Sequence, residues 1–279
     1  MSGKVAFITG ASRGIGAESA VALAREGYRV AITARTRSEG EEHDHVGMQT
    51  ALKGSLEATA EAVRAGGGEA LCLQADILDE TGMLSALGEA VDYFGPIDLL
   101  FNNAVYQGTG NQETVLEVAR SQMEAIYQGN LLTPLALVQA TLPGMLERGE
   151  GTIINMVSYT AFNNPPAAAR QRGWGFAYPS SKAALARMAG SLRAEHPGSG
   201  LRVFNLEPGT VLTEVMKTAG ITEEVLARYK PCSPGAIAAV VAWLAVNEPP
   251  DQWHPQEILR GPAIAKELEL LRVPSFLES

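Results

Sequence analysis

At 279 residues, 46% hydrophobic and 19% charged, the chain can enclose a sizeable core and is too apolar for a disordered polypeptide. Its net charge of −9, from 31 acidic against 22 basic side chains with no long basic block, argues against a nucleic-acid partner. Two cysteines, Cys72 and Cys232, are too few for a disulfide framework, and the longest apolar run, 236–246, is far shorter than the roughly 20 residues that cross a bilayer.

The first residues run straight into an apolar strand, 5–9, rather than a secretory signal, so a cytoplasmic location is expected. Helical and strand-like patterns then alternate: helix 15–25, strand 30–33, helix 55–65, strand 70–74, helix 81–94, strand 97–101. The rhythm continues with one long helix over 121–148, a strand at 152–156, a helix at 178–195 and a strand at 201–206. Run 236–246 reads as a buried helix, and a last helical pattern covers 263–271.

Strands that are apolar throughout suit burial on both faces. With right-handed crossovers the pattern predicts an α/β fold: a doubly wound parallel sheet of Rossmann type, helices on both faces, the whole of 1–279 as one domain. Ligands of such a sheet bind beyond the carboxyl ends of its strands. Two stretches break the rhythm and read as insertions, 36–54 and 160–176, and the tail 247–279 is atypical. His43 and His45 lie among acids in the first insertion and are read as a solvated loop, not a metal site.

Directly after the first strand stands Thr9-Gly10-Ala11-Ser12-Arg13-Gly14-Ile15-Gly16. Gly10 allows a tight turn, Gly14 a close approach of backbone to a pyrophosphate, and Gly16 close packing of helix on strand. The free N–H groups of Ser12, Arg13, Ile15 and their neighbours face an anion at the helix start. The second strand ends at Ala34-Arg35, without the acid that would meet a free ribose 2′-hydroxyl. Arg35, with Arg13 as a second cation, instead favours the 2′-phosphate of NADP(H).

Tyr178-Pro179-Ser180-Ser181-Lys182 places a phenol and an ammonium four residues apart on one helix face. Ser158 follows the strand 152–156 at its carboxyl end, and Asn130 is a polar residue inside the long apolar helix. A phenol of ordinary pKa about 10 needs roughly 4 kcal/mol of stabilisation to work near pH 7. One cation at ~4 Å contributes that order at an effective dielectric near 20. Lys182 and an oxidised nicotinamide are therefore expected to acidify Tyr178 together.

Thr9–Gly16, Asp76-Ile77, Asn102-Asn103-Ala104, Asn130, Ser158, Tyr178/Lys182 and Pro208-Gly209, in this order over residues 3–215, resemble the short-chain dehydrogenase/reductase family. The resemblance implies a catalytic tetrad of Asn130, Ser158, Tyr178 and Lys182. Lys182 would also hold the nicotinamide ribose, and Asn130 would support a relay water. It further implies Asp76 and Ile77 at the adenine, Asn103 and Ala104 at the adenosine ribose, Pro208, Gly209 and Val211 at the nicotinamide, and Thr213 at the phosphates.

The implied activity is that of an NADP(H)-dependent carbonyl reductase or alcohol dehydrogenase, with a small carbonyl or alcohol as partner and a homodimer or homotetramer as assembly. Three departures stand out: Val105 in place of the family's glycine, a longer gap between Ser158 and Tyr178, and a last strand replaced by 253–262. The arginines and aromatics of the second insertion are open to a substrate role or to an ordinary surface loop with Trp174 in the core. Two other functions remain open: a dinucleotide sensor without chemistry, which would not need Tyr178 and Lys182, and a methyltransferase, which would not need Arg35.

Overall fold

Val5–Thr9 (β1) is buried along its whole length and pairs in parallel on both sides, with β2 (Arg29–Ala34) and with β6 (Leu99–Asn102). A computed structural model describes residues 3–45, 48–106, 108–171, 173–211, 214, 232–250, 253 and 258–270. Among these, β5 (Ala70–Gln74), β7 (Gly151–Met156), β8 (Leu201–Glu207) and β9 (Leu259–Arg260) complete a parallel sheet in the order β5-β2-β1-β6-β7-β8-β9. The doubly wound Rossmann-type fold is as expected.

Side chains alternate across the sheet, as the two-residue period of a strand requires. Ala6, Ile8, Ile32, Phe101, Ile154 and Phe204 pack under α1 (Gly14–Arg25), α2 (Leu56–Ala65) and α7 (Pro234–Val246). Phe7, Ala31, Leu100, Ile153 and Val203 pack under α3 (Glu80–Phe94), α5 (Thr133–Arg148) and α6 (Ala177–Glu195). The chain winds outward from β1 to β5, then returns to β6 on the other side of β1. The crevice between β1 and β6 is thus the switch point where such sheets bind ligands.

Several expectations are corrected. The long helix is α4 (Arg120–Tyr127), a π-helical turn (Gln128–Leu132) and α5, because the turn takes up an extra residue around buried Asn130 before Pro134 restarts regular winding. The first insertion holds an antiparallel hairpin, β3 (Glu42–His45) with β4 (Met48–Ala51). The last strand is shortened to two residues, not lost: β9 pairs with Leu206 and Glu207, then Pro262 starts α8 (Gly261–Glu267). No helix among the described residues is long and apolar enough to cross a membrane.

One polar feature crosses the interior. Asn102, Asn155 and Asn205 occupy one register level of β6, β7 and β8. Asn102 Nδ2 donates to Asn155 Oδ1 at 3.0 Å, Asn155 Nδ2 to Asn205 Oδ1 at 3.4 Å, and Asn205 Nδ2 to the Ala186 carbonyl of α6 at 2.8 Å. Apart from Asn102 Oδ1, which has no partner among the described residues, the buried amide groups of the row are paired, and the row ties α6 to the sheet. Asn155→Leu removes both central bonds and is expected to cost about 2–4 kcal/mol in urea unfolding; a loss below ~1 kcal/mol would show the row to be dispensable.

Candidate active site

β1 ends in a turn that only small residues can make. Gly10 and Gly14 have φ of +69° and +56°, in the left-handed region that favours glycine. A Cβ on Gly10 would lie 2.8 Å from Ala104 Cα, and one on Gly16 would run into the Gly10 carbonyl oxygen and Asn103 Nδ2. A Cβ on Gly14 meets nothing within 4 Å, so the backbone there faces open space at the first turn of α1. Arg13 precedes that turn without a capping side-chain bond, leaving backbone donors for an anion. A dinucleotide pyrophosphate fits this cradle.

The loop after β6 is clasped to the cradle. Thr9 Oγ1 accepts from the amides of Asn103 and Ala104 at 3.0 and 2.9 Å, and Asn103 Nδ2 donates to Thr9 O at 2.9 Å and Gly10 O at 3.2 Å. Val105 takes the family's glycine position without a positive φ, so its branched side chain is accommodated.

At the far end of the cleft the two arginines differ. Arg35 Nη2 donates to the Asp44 carbonyl at 3.2 Å. Arg13 is an anchor for the first insertion: Nη2 donates to Thr36 Oγ1 at 3.1 Å and to the Leu52 and Gly54 carbonyls at 3.3 and 2.9 Å, and Nε to Lys53 O at 3.0 Å. Asp76 Oδ1 accepts from the Leu78 amide at 2.9 Å, while the cap of α3 is Asp79, whose Oδ1 accepts from Gly82 N at 3.0 Å.

At the near end, Ser158 follows β7 and caps a one-turn 3₁₀ segment, Tyr159–Ala161. Its Oγ shares a hydrogen bond of 2.9 Å with Thr160 Oγ1 and lines the same cleft as the Tyr178 phenol. Tyr178 stands in the first turn of α6, where Pro179 removes no intrahelical donor. One turn on, Lys182 is 2% exposed and Nζ donates to the Met156 carbonyl at 2.8 Å. Asn130 Oδ1 accepts from Tyr106 N at 2.8 Å and Nδ2 donates to Ser181 Oγ at 3.1 Å, while Ser181 Oγ donates to the Tyr178 carbonyl at 2.8 Å. The Asn130 side chain thus braces α6 from behind.

The protein's own groups do not by themselves acidify Tyr178. Burial pushes the phenol above its ordinary value; the Ser158 hydroxyl lowers it and the Glu207 charge raises it further. Burial also brings Lys182 down to about 7, so part of the charge expected to acidify the phenol is discharged near neutral pH. A protonated phenol beside a hydroxyl is an arrangement that donates a proton to an oxygen.

The cleft, about 430 Å³, joins the two ends. It brings together Gly10, Ser12, Arg13, Gly14, Ile15, Gly16, Arg35, Asp76, Ile77, Asn103, Ala104, Ser158, Tyr178, Lys182, Pro208, Gly209 and Val211. Asn130 stands behind its lining, and Thr213 lies outside the described residues. Glu207, which sequence reasoning passed over, also lines it. Its signal was available: a charged residue ending an apolar strand directly before Pro208-Gly209.

Among the described residues, the aromatics of the second insertion are not part of the cleft lining. Trp174 sits edge-on to Tyr159 at 6.4 Å between ring centroids, not deep in the core, and Phe176 is exposed. Arg170, at φ +63°, faces Glu113 and Glu117 at 4.0 and 3.6 Å, so it is engaged by carboxylates of its own chain. Arg172 lies outside the described residues.

Comparison with known proteins agrees with this fold. Residues 4–224 match the family model for short chain dehydrogenases. A ketoacyl reductase of Nostoc, HetN, is 32% identical over 213 residues, 76% of this chain and 64% of that protein, so the match spans just under two thirds of its length. An uncharacterized oxidoreductase of Methylorubrum extorquens is 32% identical over 269 residues, 94% of this chain and 97% of that one. The crystal structure of a metagenomic short-chain oxidoreductase in complex with NADP superposes with a TM-score of 0.68 at 29% identity, covering 93% of this chain and 98% of that chain. The chain belongs to the short-chain dehydrogenase/reductase family, whose members are oxidoreductases using nicotinamide dinucleotides.

Proposed function

We propose that this protein is an NADP(H)-dependent oxidoreductase that interconverts a carbonyl and a secondary alcohol, with Tyr178 as the group that moves the proton. The observation that carries the reading is the convergence of Ser158, Tyr178 and Lys182 on one end of a cleft whose glycine cradle and Arg35 suit a phosphorylated dinucleotide.

The dinucleotide, when bound, supplies or accepts the hydride. Gly10, Gly14 and the first turn of α1 hold its pyrophosphate, and Arg35 offers a forked cation to a 2′-phosphate. Ser158 Oγ donates to the substrate oxygen, fixing it beside the phenol. As negative charge develops on that oxygen during reduction, Tyr178 donates its proton. In oxidation the phenolate form takes the proton back. Lys182, held on the Met156 carbonyl, keeps the first turn of α6 against the end of β7 and supports the phenolate electrostatically when protonated. Asn130, through Ser181, fixes the Tyr178 backbone.

Tyr178→Phe is expected to lower kcat/KM for ketone or aldehyde reduction by about 10²–10⁴-fold, with NADPH binding retained; undiminished turnover in a 340 nm assay would remove the mechanism. Arg35→Ala should weaken NADPH at least about tenfold more than NADH, and an unaltered preference in paired titrations would overturn the cofactor assignment. Because the phenol lies above its ordinary value, it stays protonated through neutrality. Carbonyl reduction should therefore hold steady up to mildly alkaline pH, whereas alcohol oxidation, which needs the deprotonated form, should climb with pH; parallel pH profiles in the two directions would contradict this.

A further inference from the structure

β8 is buried from Val203 to Leu206 and then places a carboxylate, Glu207, at its carboxyl end. The residue is only 6% exposed, yet lines the cleft with Ser158, Tyr178 and Lys182. Burying a carboxylate costs stability unless it is hydrogen-bonded or offset by charge. Here Oε1 accepts from the Gly209 amide at 2.7 Å, bracing a turn in which Gly209 has φ of +69°. A glutamine could accept the same bond without the cost of burying a charge, so the turn does not account for the carboxylate.

The surrounding charges locate its influence. Burial holds the Glu207 carboxyl above its ordinary value; the Gly209 amide and then the charge of Arg260, its register partner on β9, offset part of that rise. The Arg260 guanidinium also lies 6.0 Å from the Tyr159 ring centroid, on the outer side of the site. On the inner side, the charge of Glu207 is felt by the Tyr178 phenol. Glu214 acts instead on Arg13, toward the glycine loop, and Asp44 and Asp76 act on Tyr106. At the Tyr178 end, Lys182 from α6 and Arg260 from β9 supply positive charge; Glu207 is the described anion acting on that end.

We infer that Glu207 is the counter-charge by which this cleft tells an oxidised nicotinamide, whose ring is cationic, from a reduced one, whose ring is neutral. The inference rests on the reading above, which seats the ring beside Tyr178. A buried anion there attracts the cationic ring through a medium that screens poorly and leaves the neutral ring almost untouched. Glu207 is thus a positioning and discriminating group, with no bond made or broken at its carboxylate.

Calorimetric titration of the purified full chain with NADP⁺ and with NADPH tests this without any substrate. Glu207→Gln, which keeps the acceptor for Gly209, is expected to weaken NADP⁺ about tenfold while NADPH changes by no more than about twofold. Glu207→Asp, which keeps the charge, should retain most of the wild-type ratio. Equal loss of both dinucleotides, as from a damaged turn, or an unchanged ratio in Glu207→Gln, would overturn the role of Glu207 and leave the proposed activity standing. If the glutamine variant does not fold, Glu207→Ser serves in the same titration with the same expected and contrary outcomes. Wild-type protein that binds neither dinucleotide would overturn the proposed function itself, and this inference with it.

Discussion

The Lys182 ammonium resting on the Met156 carbonyl is the interaction from which the rest of the site is measured. Ser158 stands two residues beyond Met156 at the end of β7, and Tyr178 stands one helical turn before Lys182. One hydrogen bond from helix to strand therefore sets the distance at which hydroxyl and phenol meet. The surrounding fold protects that bond by burial, since water at Met156 would compete for the carbonyl. Asparagines reinforce it on two sides: Asn205 holds the Ala186 carbonyl one turn further along α6, and Asn130 holds Ser181.

The same burial gives the site its electrostatic character. Removing Tyr178 and Lys182 from water disfavours the charged form of each, so the phenol rises and the ammonium falls. The two shifts run in opposite directions, each favouring the uncharged form of its group in the protein by itself. Such a pair responds strongly to a charge brought nearby, because little solvent is present to screen it. Glu207 enters the balance with the opposite sign to Lys182, and Arg260 moderates it from the rim. At the other end of the cleft, the two ends of the first insertion, Thr36 and Leu52–Gly54, are tied to Arg13 by four hydrogen bonds, whereas Arg35 Nη2 donates to the Asp44 carbonyl.

Much of this was legible in the residues. The apolar runs of β1, β2, β7 and β8 mark strands buried on both faces, and their alternation with helical periods leaves a doubly wound sheet as the economical topology. Short motifs were also readable: Gly10, Gly14 and Gly16 stand in one local run, although the Ala104 and Asn103 that crowd Gly10 and Gly16 come from the end of β6, and Tyr178 with Lys182 answer to the pitch of a single helix. The break at Asn130 was not, because a π-helical turn depends on what the helix packs against, and neither was the two-residue β9, whose existence depends on the free edge of β8.

The sequence by itself determined which strands, loops and reactive side chains exist and in what order they meet the crevice, because those follow from side-chain periodicity and near-neighbour sterics. Only the tertiary structure decided how those side chains are charged and to whom they are bound. Arg13 donates to carbonyls about 40 residues away, burial raises the Tyr178 phenol, and Glu207 lines the same cleft as the phenol from another strand. Hydrogen-bond partners and desolvation are set by segments remote in the chain, and no local pattern encodes them.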